Sequence, residues 1–151
     1  MTKSQVNHVL VVDDDPDIRM LLTMNLEMSG YRVTEAENGH EAAELARTLV
    51  PDLIVLDLMM PGIDGLGVLE RLKADAVTKD IPVVMLTAKA SDIDVWAGWQ
   101  AGVDYYMTKP FEPEHLLQFI EYLGDSEHRE LPGQTQDLPP GLDDEESDPA
   151  R

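Results

Sequence analysis

Two short runs, Leu-Ile-Val-Leu at 53–56 and Val-Val-Met-Leu at 83–86, contain no polar residue. A strand with one face in water alternates apolar and polar side chains, so uninterrupted runs of this kind point to strands buried on both faces of a parallel sheet. The two runs lie within a longer alternation of short apolar segments and helical patterns. Strands are expected at His8–Val12, Arg32–Ala36, Leu53–Leu56, Val83–Leu86 and Tyr105–Met107. Helices are expected at Pro16–Ser29, Gly39–Leu49, Gly65–Ala74, Ser91–Ala101 and Pro113–Leu123. Asp15 before Pro16 is a helix-start signal, and Gly30 and Gly102 stand where the first and fourth helices should stop. Strands that alternate with helices of ten or more residues imply a doubly wound α/β sheet.

Composition narrows the setting. A chain of 151 residues is one domain as a prior, and it can bury enough surface to fold without a covalent staple. It has no cysteine, which excludes disulfides and thiolate metal sites and fits a reducing, cytoplasmic compartment. No apolar run reaches the ~20 residues that a spanning helix requires, and the polar start does not read as a secretory signal. Eleven basic residues against thirty acidic ones leave a formal charge of -19. Such a surface repels phosphate backbones and anionic lipid, so no direct nucleic-acid or membrane partner is expected.

In doubly wound sheets the ligand site lies beyond the carboxyl ends of the central strands. There the first strand runs into Asp13, Asp14 and Asp15, the third ends in Asp57, the fourth in Thr87, and the fifth leads to Lys109 and Pro110. Helix capping accounts for Asp15 and could account for Asp14. It does not account for Asp57, which is followed by Leu-Met-Met-Pro-Gly and not by a helix. Clustered carboxylates are hard to keep ionised without a cation, and Mg²⁺ (or Mn²⁺) suits an all-oxygen site of one or two carboxylates plus waters and phosphate oxygens. A carboxylate beside such an ion can attack phosphorus and form an aspartyl phosphate. Lys109 would then neutralise charge on the phosphoryl oxygens, and Thr87 could donate a hydrogen bond to one of them.

Four blocks of sequence, VVDDDPDIR, LIVLDLMMPGIDG, PVVMLTAKA and AGVDYYMTKPF, resemble the receiver domains of two-component response regulators, in order and at normal spacing over about residues 8–123. The resemblance implies a flavodoxin-like, five-stranded parallel sheet of order 2-1-3-4-5 with five helices. It further implies that Asp57 is the phosphoacceptor and that Asp14, Asp57 and the Met59 backbone carbonyl ligate the metal, with Asp13 acting through a bound water. Lys109, Thr87 and Tyr106 would form the phosphoryl-binding and switch set, and Pro110 a cis-proline that aims the lysine. The implied partners are a sensor histidine kinase or phosphotransfer protein, and a downstream protein met by the face of the fourth helix, fifth strand and fifth helix. Two positions are less typical of the family, Met59 and Lys89. An apolar Met59 would hinder an attacking water and favour a longer-lived phosphate.

Other readings fare worse. An aspartate-nucleophile phosphatase needs an acid two residues after the nucleophile, where this chain has Met59. A nucleotide-binding domain needs a Gly-rich loop after the first strand, where this chain has Asp-Asp-Asp-Pro-Asp. A scaffold pseudo-receiver would lack some of Asp13, Asp57 and Lys109. The four histidines, His8, His40, His115 and His128, have no ligand spacing, and Trp96 and Trp99 read as packing on the fourth helix.

Beyond Gly124 the composition changes to a proline-containing, strongly acidic stretch with leucine as its only large apolar residue. It cannot offset its ordering entropy by burial, so the expected organisation is a receiver domain at 1–124 and a disordered acidic tail at 125–151. The short lead before the first strand and the absence of a partial fold in the tail favour a stand-alone, chemotaxis-type single-domain regulator. A receiver fragment of a longer regulator or of a hybrid kinase is the alternative. On the first helix, Ile18, Leu21, Leu22 and Leu26 should share the core face. Met20 and Met24 fall opposite, with Met28 at the boundary, and this flexible stripe is a candidate kinase-docking surface.

Overall fold

The computed structural model describes residues 6–87, 100, 102–108 and 112–124. Its strands are β1 (His8–Val12), β2 (Arg32–Ala36), β3 (Leu53–Asp57), β4 (Val83–Thr87) and β5 (Tyr105–Thr108). Its helices are α1 (Pro16–Met28), α2 (Gly39–Leu49), α3 (Gly65–Ala74) and α4 (Pro113–Gly124). The helix expected at Ser91–Ala101, with Trp96 and Trp99, lies outside the described residues but for Gln100, as do Lys89 and the stretch from 125 to 151. The strands form one parallel sheet of order 2-1-3-4-5.

The residues of β1, β3 and β4 are buried throughout, because both faces are covered. Alternation along each strand divides the core in two. Leu10, Val12, Ile54, Leu56, Val83 and Met85 pack with Ala42 and Ala46 of α2 and Val68, Leu69 and Leu72 of α3. Val9, Val11, Val55, Val84 and Leu86 pack with Leu22 and Leu26 of α1 and Leu116, Phe119 and Ile120 of α4. The carboxyl ends of the strands are thereby left as the sheet edge on which polar chemistry can gather. Three helix starts are capped by side chains that accept backbone N–H bonds: Asp15 from Asp17, Asn38 from Glu41 and Asp64 from Gly67. Each such cap is worth about 1 kcal/mol.

The core stripe of α1 is narrower than its periodicity suggests. Leu22 and Leu26 are buried, whereas Leu21 is 41% exposed. At ~100° per residue, Ile18, Leu22 and Leu26 fall within a narrow sector, and Leu21 lies about 60° beyond Ile18, on the flank it shares with Met28.

His8 is buried at the start of β1, with Nε2 2.7 Å from the Thr34 hydroxyl. Burial, and then the neighbouring Arg32, hold its pKa below the ordinary 6.5, against a smaller opposing pull from Asp52. A histidine held neutral by folding contributes stability that is fully present above about 6.5 and lost as the pH falls below it toward the folded-state value. The slope of unfolding free energy between about pH 7.5 and 5.5 should therefore be shallower for His8→Gln than for the unchanged chain in urea titrations. Equal slopes would show that His8 does not carry the linkage.

The end of α2 carries a second local anomaly. Val50 is its C-cap in the left-handed region at φ 46°, the one non-glycine residue with positive φ among those described. That conformation costs an L-residue roughly 1–2 kcal/mol, and glycine gives back part of the relief through unfolded-chain entropy. Val50→Gly should raise stability by about 0.5–1 kcal/mol and the melting temperature by about 2–4 °C in calorimetry. A decrease would mean that Val50 packing outweighs the backbone strain.

Candidate functional site

The acidic edge is built by adjacent strands. Asp13 directly follows Val12, the last residue of β1, and is fully buried; its N–H donates to the Ala36 carbonyl of β2 at 3.2 Å. Its Oδ1 accepts the Asp15 N–H at 2.9 Å, which sets the direction of the carboxyl group. Asp14 is exposed. Asp57 is the last residue of β3, paired in register with Leu86 of β4, and is 3% exposed. β1 and β3 are neighbours in the sheet, so carboxylates 43 and 44 residues apart in sequence converge. One oxygen from each of Asp13, Asp14 and Asp57 lies within 4.8 Å of the others.

The loop after β3 is curled back on the strand. Leu58 N–H donates to Leu86 O at 2.7 Å, Gly65 N–H to Leu58 O at 2.8 Å, and Met59 N–H to Asp57 Oδ1 at 3.3 Å. The curl requires glycine at 65, where a Cβ would stand 2.5 Å from the Asp57 carbonyl oxygen and 2.7 Å from Leu58 Cα. α3 can therefore begin directly beneath Asp57. The Met59 side chain is 59% exposed at the rim.

Thr87 ends β4, fully buried and in register with Thr108. It stands one residue beyond Leu86, the neighbour of Asp57. Tyr106 is 1% exposed and packs in the core cluster of α2 and α3. Lys109 and Pro110 follow β5 directly but lie outside the described residues. Met20, Met24 and Met28 are 54%, 53% and 81% exposed on the outer side of α1.

At an effective dielectric constant near 20, two carboxylates 4.8 Å apart repel by about 3 kcal/mol. Two of the three groups are shielded from water, and a cation among them would relieve their repulsion. Among the described residues, the cation that touches this turn is Arg19. Its Nη1 donates to the Asp13 backbone carbonyl at 2.8 Å, and its Nε pairs with Glu35 at 3.1 Å. Its charge is thus matched by Glu35 and does not offset the cluster. The donor set, all oxygen with two buried carboxylates, fits a hard divalent ion. Sequence reasoning missed Arg19, although a lone basic residue six positions after Asp13 in an acid-rich turn was a visible signal.

The model of the response regulator receiver domain matches residues 9–121. The chain is similar to the DNA-binding dual master transcriptional regulator RpaA of Synechocystis, with 48% identity over 76% of this chain and 48% of that protein. It spans about half the length of the curated relatives it matches. Among solved structures, the chemotaxis protein CheY4 of Vibrio cholerae superposes with a TM-score of 0.73 at 32% identity, covering 77% of this chain and 97% of that one. The receiver domain of a signal transduction histidine kinase from Syntrophus aciditrophicus gives 0.74 at 31% identity, over 83% and 95%. These relatives sit in three kinds of protein, so they carry the receiver class and not the stand-alone chemotaxis type. No helix among the described residues is long and apolar enough to cross a membrane. With this fold, the acid cluster at its strand ends and a match over residues 9–121, the chain belongs to the response regulator receiver domain family.

Proposed function

We propose that Asp57 accepts a phosphoryl group from the phosphohistidine of a sensor kinase or phosphotransfer protein, and that the domain thereby switches which protein it binds. The observation that carries this reading is the convergence of Asp13, Asp14 and Asp57 within 4.8 Å at the ends of neighbouring strands. A carboxylate oxygen of Asp57 attacks phosphorus, the P–N bond to the donor imidazole breaks, and the histidine is released. Asp14, Asp57 and the Met59 carbonyl would hold Mg²⁺ (or Mn²⁺), with Asp13 oriented to act through a water. When bound, such an ion offsets carboxylate repulsion and draws charge from the phosphoryl oxygens. The Met59 N–H on Asp57 Oδ1 orients the nucleophile, and the Thr87 hydroxyl and Lys109 ammonium would bind the transferred group.

A switch from about 1:99 to 99:1 needs ~5.5 kcal/mol of differential binding. Hydrogen bonds to a charged group contribute roughly 1.5–3 kcal/mol each, so Thr87 and Lys109 together are of the right size. In this reading the readout is a face that includes β5 and α4, beside the buried Tyr106. Residues 1–124 form the receiver and 125–151 an acidic stretch in this proposal, with the protein acting in the cytoplasm. A second reading is favoured by the length of the curated relatives. In it the same receiver is the regulatory part of a longer regulator.

Acetyl phosphate with Mg²⁺ should add one hydroxylamine-labile phosphoryl group, read by intact mass, and Asp57→Asn should abolish it. Labelling of Asp57→Asn at full strength would overturn the assignment. The exposed methionine stripe of α1 generates a separate expectation, since thioether side chains adapt to a partner's groove. Met20→Lys combined with Met24→Lys should slow phosphotransfer from the cognate kinase at least tenfold, a cost of ~1.4 kcal/mol. Labelling by acetyl phosphate should be unchanged. Equal loss of both reactions would mean a damaged fold, and no loss of either would remove the stripe from the docking surface.

A further inference from the structure

Among the described residues, three groups hold Asp13, and only one of them lies in its own turn. Its N–H is engaged by Ala36 of β2, and its Oδ1 by the Asp15 N–H. The third is the Arg19 guanidinium, which donates to its backbone carbonyl at 2.8 Å. The same guanidinium pairs through Nε with Glu35 of β2 at 3.1 Å, and Glu35 in turn accepts the Thr23 hydroxyl at 2.8 Å. Arg19 thus joins the β1–α1 turn to the next strand through two donors of one rigid planar fork. Its side chain is only 17% exposed, while Glu35 is 40% exposed.

We propose that Arg19 is a positioning residue for the divalent-cation site: through the Asp13 carbonyl it fixes the turn that aims the Asp13 and Asp14 carboxylates toward Asp57. The proposal rests on the reading of those three acids as the cation site. Two accounts of Arg19 make opposite claims about cation affinity. If the arginine mattered through its charge, its removal would make the pocket more negative and tighten cation binding. If it matters through geometry, its removal loosens two ligand-bearing residues and weakens binding. Groups that orient metal ligands from behind typically contribute about 10–100-fold in affinity. A half-exposed ion pair by itself contributes little to stability, so the arrangement is not explained by folding alone.

Pairing with Glu35 allows the two accounts to be separated. The double variant Arg19→Gln/Glu35→Gln keeps the net charge of the chain and removes the brace. Calorimetric titration of the full chain with MgCl₂ should show affinity lowered at least about tenfold in both Arg19→Gln and the double variant. In acetyl-phosphate labelling, the Mg²⁺ concentration giving half the maximal rate should rise by the same factor, while the rate at saturating Mg²⁺ stays within about twofold. A fold merely weakened would instead lower the saturating rate and leave the midpoint in place. Affinity within about twofold of the unchanged chain in the double variant would overturn the proposal. Should circular dichroism show Arg19→Gln unfolded, Arg19→Lys serves in its place: it keeps the charge, but its single ammonium lacks the fork. There a loss of at least about threefold supports the proposal and unchanged affinity overturns it. Absence of Mg²⁺ uptake by the unchanged chain would overturn the cation site itself, and Arg19's role with it.

Discussion

Repulsion among three carboxylates is the constraint around which this domain is arranged. Asp13 and Asp57 are buried, Asp14 is exposed beside them, and one oxygen of each lies within 4.8 Å of the others. Carboxylates this close repel one another, so the elements that hold them must be stable for other reasons. They are. β1, β3 and β4 are covered on both faces by apolar side chains, and their ladders do not depend on the acids. The sheet holds the acids together, and an all-oxygen cluster of this kind fits a hard divalent ion.

The same logic explains the close packing behind the site. Gly65 lets the β3–α3 loop fold onto the Asp57 carbonyl, where any side chain would collide with backbone. Met59 N–H bonds Asp57 from the front, and Leu58 is tied to β4 from behind. On the other side of the cluster, Arg19 ties the β1–α1 turn to Glu35 and, through Glu35, to Thr23. The acids are therefore presented by two braced turns on neighbouring strands, one closed by glycine and one by arginine.

Relatives of this domain occur in a transcriptional regulator, a chemotaxis protein and a histidine kinase. What they have in common with this chain is the receiver domain. The outputs differ, which fits a receiver that computes one local event and reports it through surfaces adapted to each partner. In this chain, the methionines Met20, Met24 and Met28 of α1 are exposed.

Much of this could be read from the residues in order. The continuous apolar runs at 53–56 and 83–86 required strands buried on both faces, and their alternation with helical patterns implied the α/β class. The acids and the threonine at strand ends followed from position alone. The strand order came from the family resemblance, and the tertiary structure bears it out. Other features had no local signal, because they depend on which strand lies beside which. Arg19 braces Asp13 only because β2 brings Glu35 alongside β1. His8 reaches the Thr34 hydroxyl only because β2 pairs with β1. Tyr106 is inward because α2 and α3 leave it a place in their cluster, and Leu21 is outward because α1 meets the sheet along a seam narrower than its hydrophobic face. Periodicity and composition act over a few residues and determine which elements form; contacts between residues distant in the chain exist only once the sheet has assembled, and those decided how the site is held.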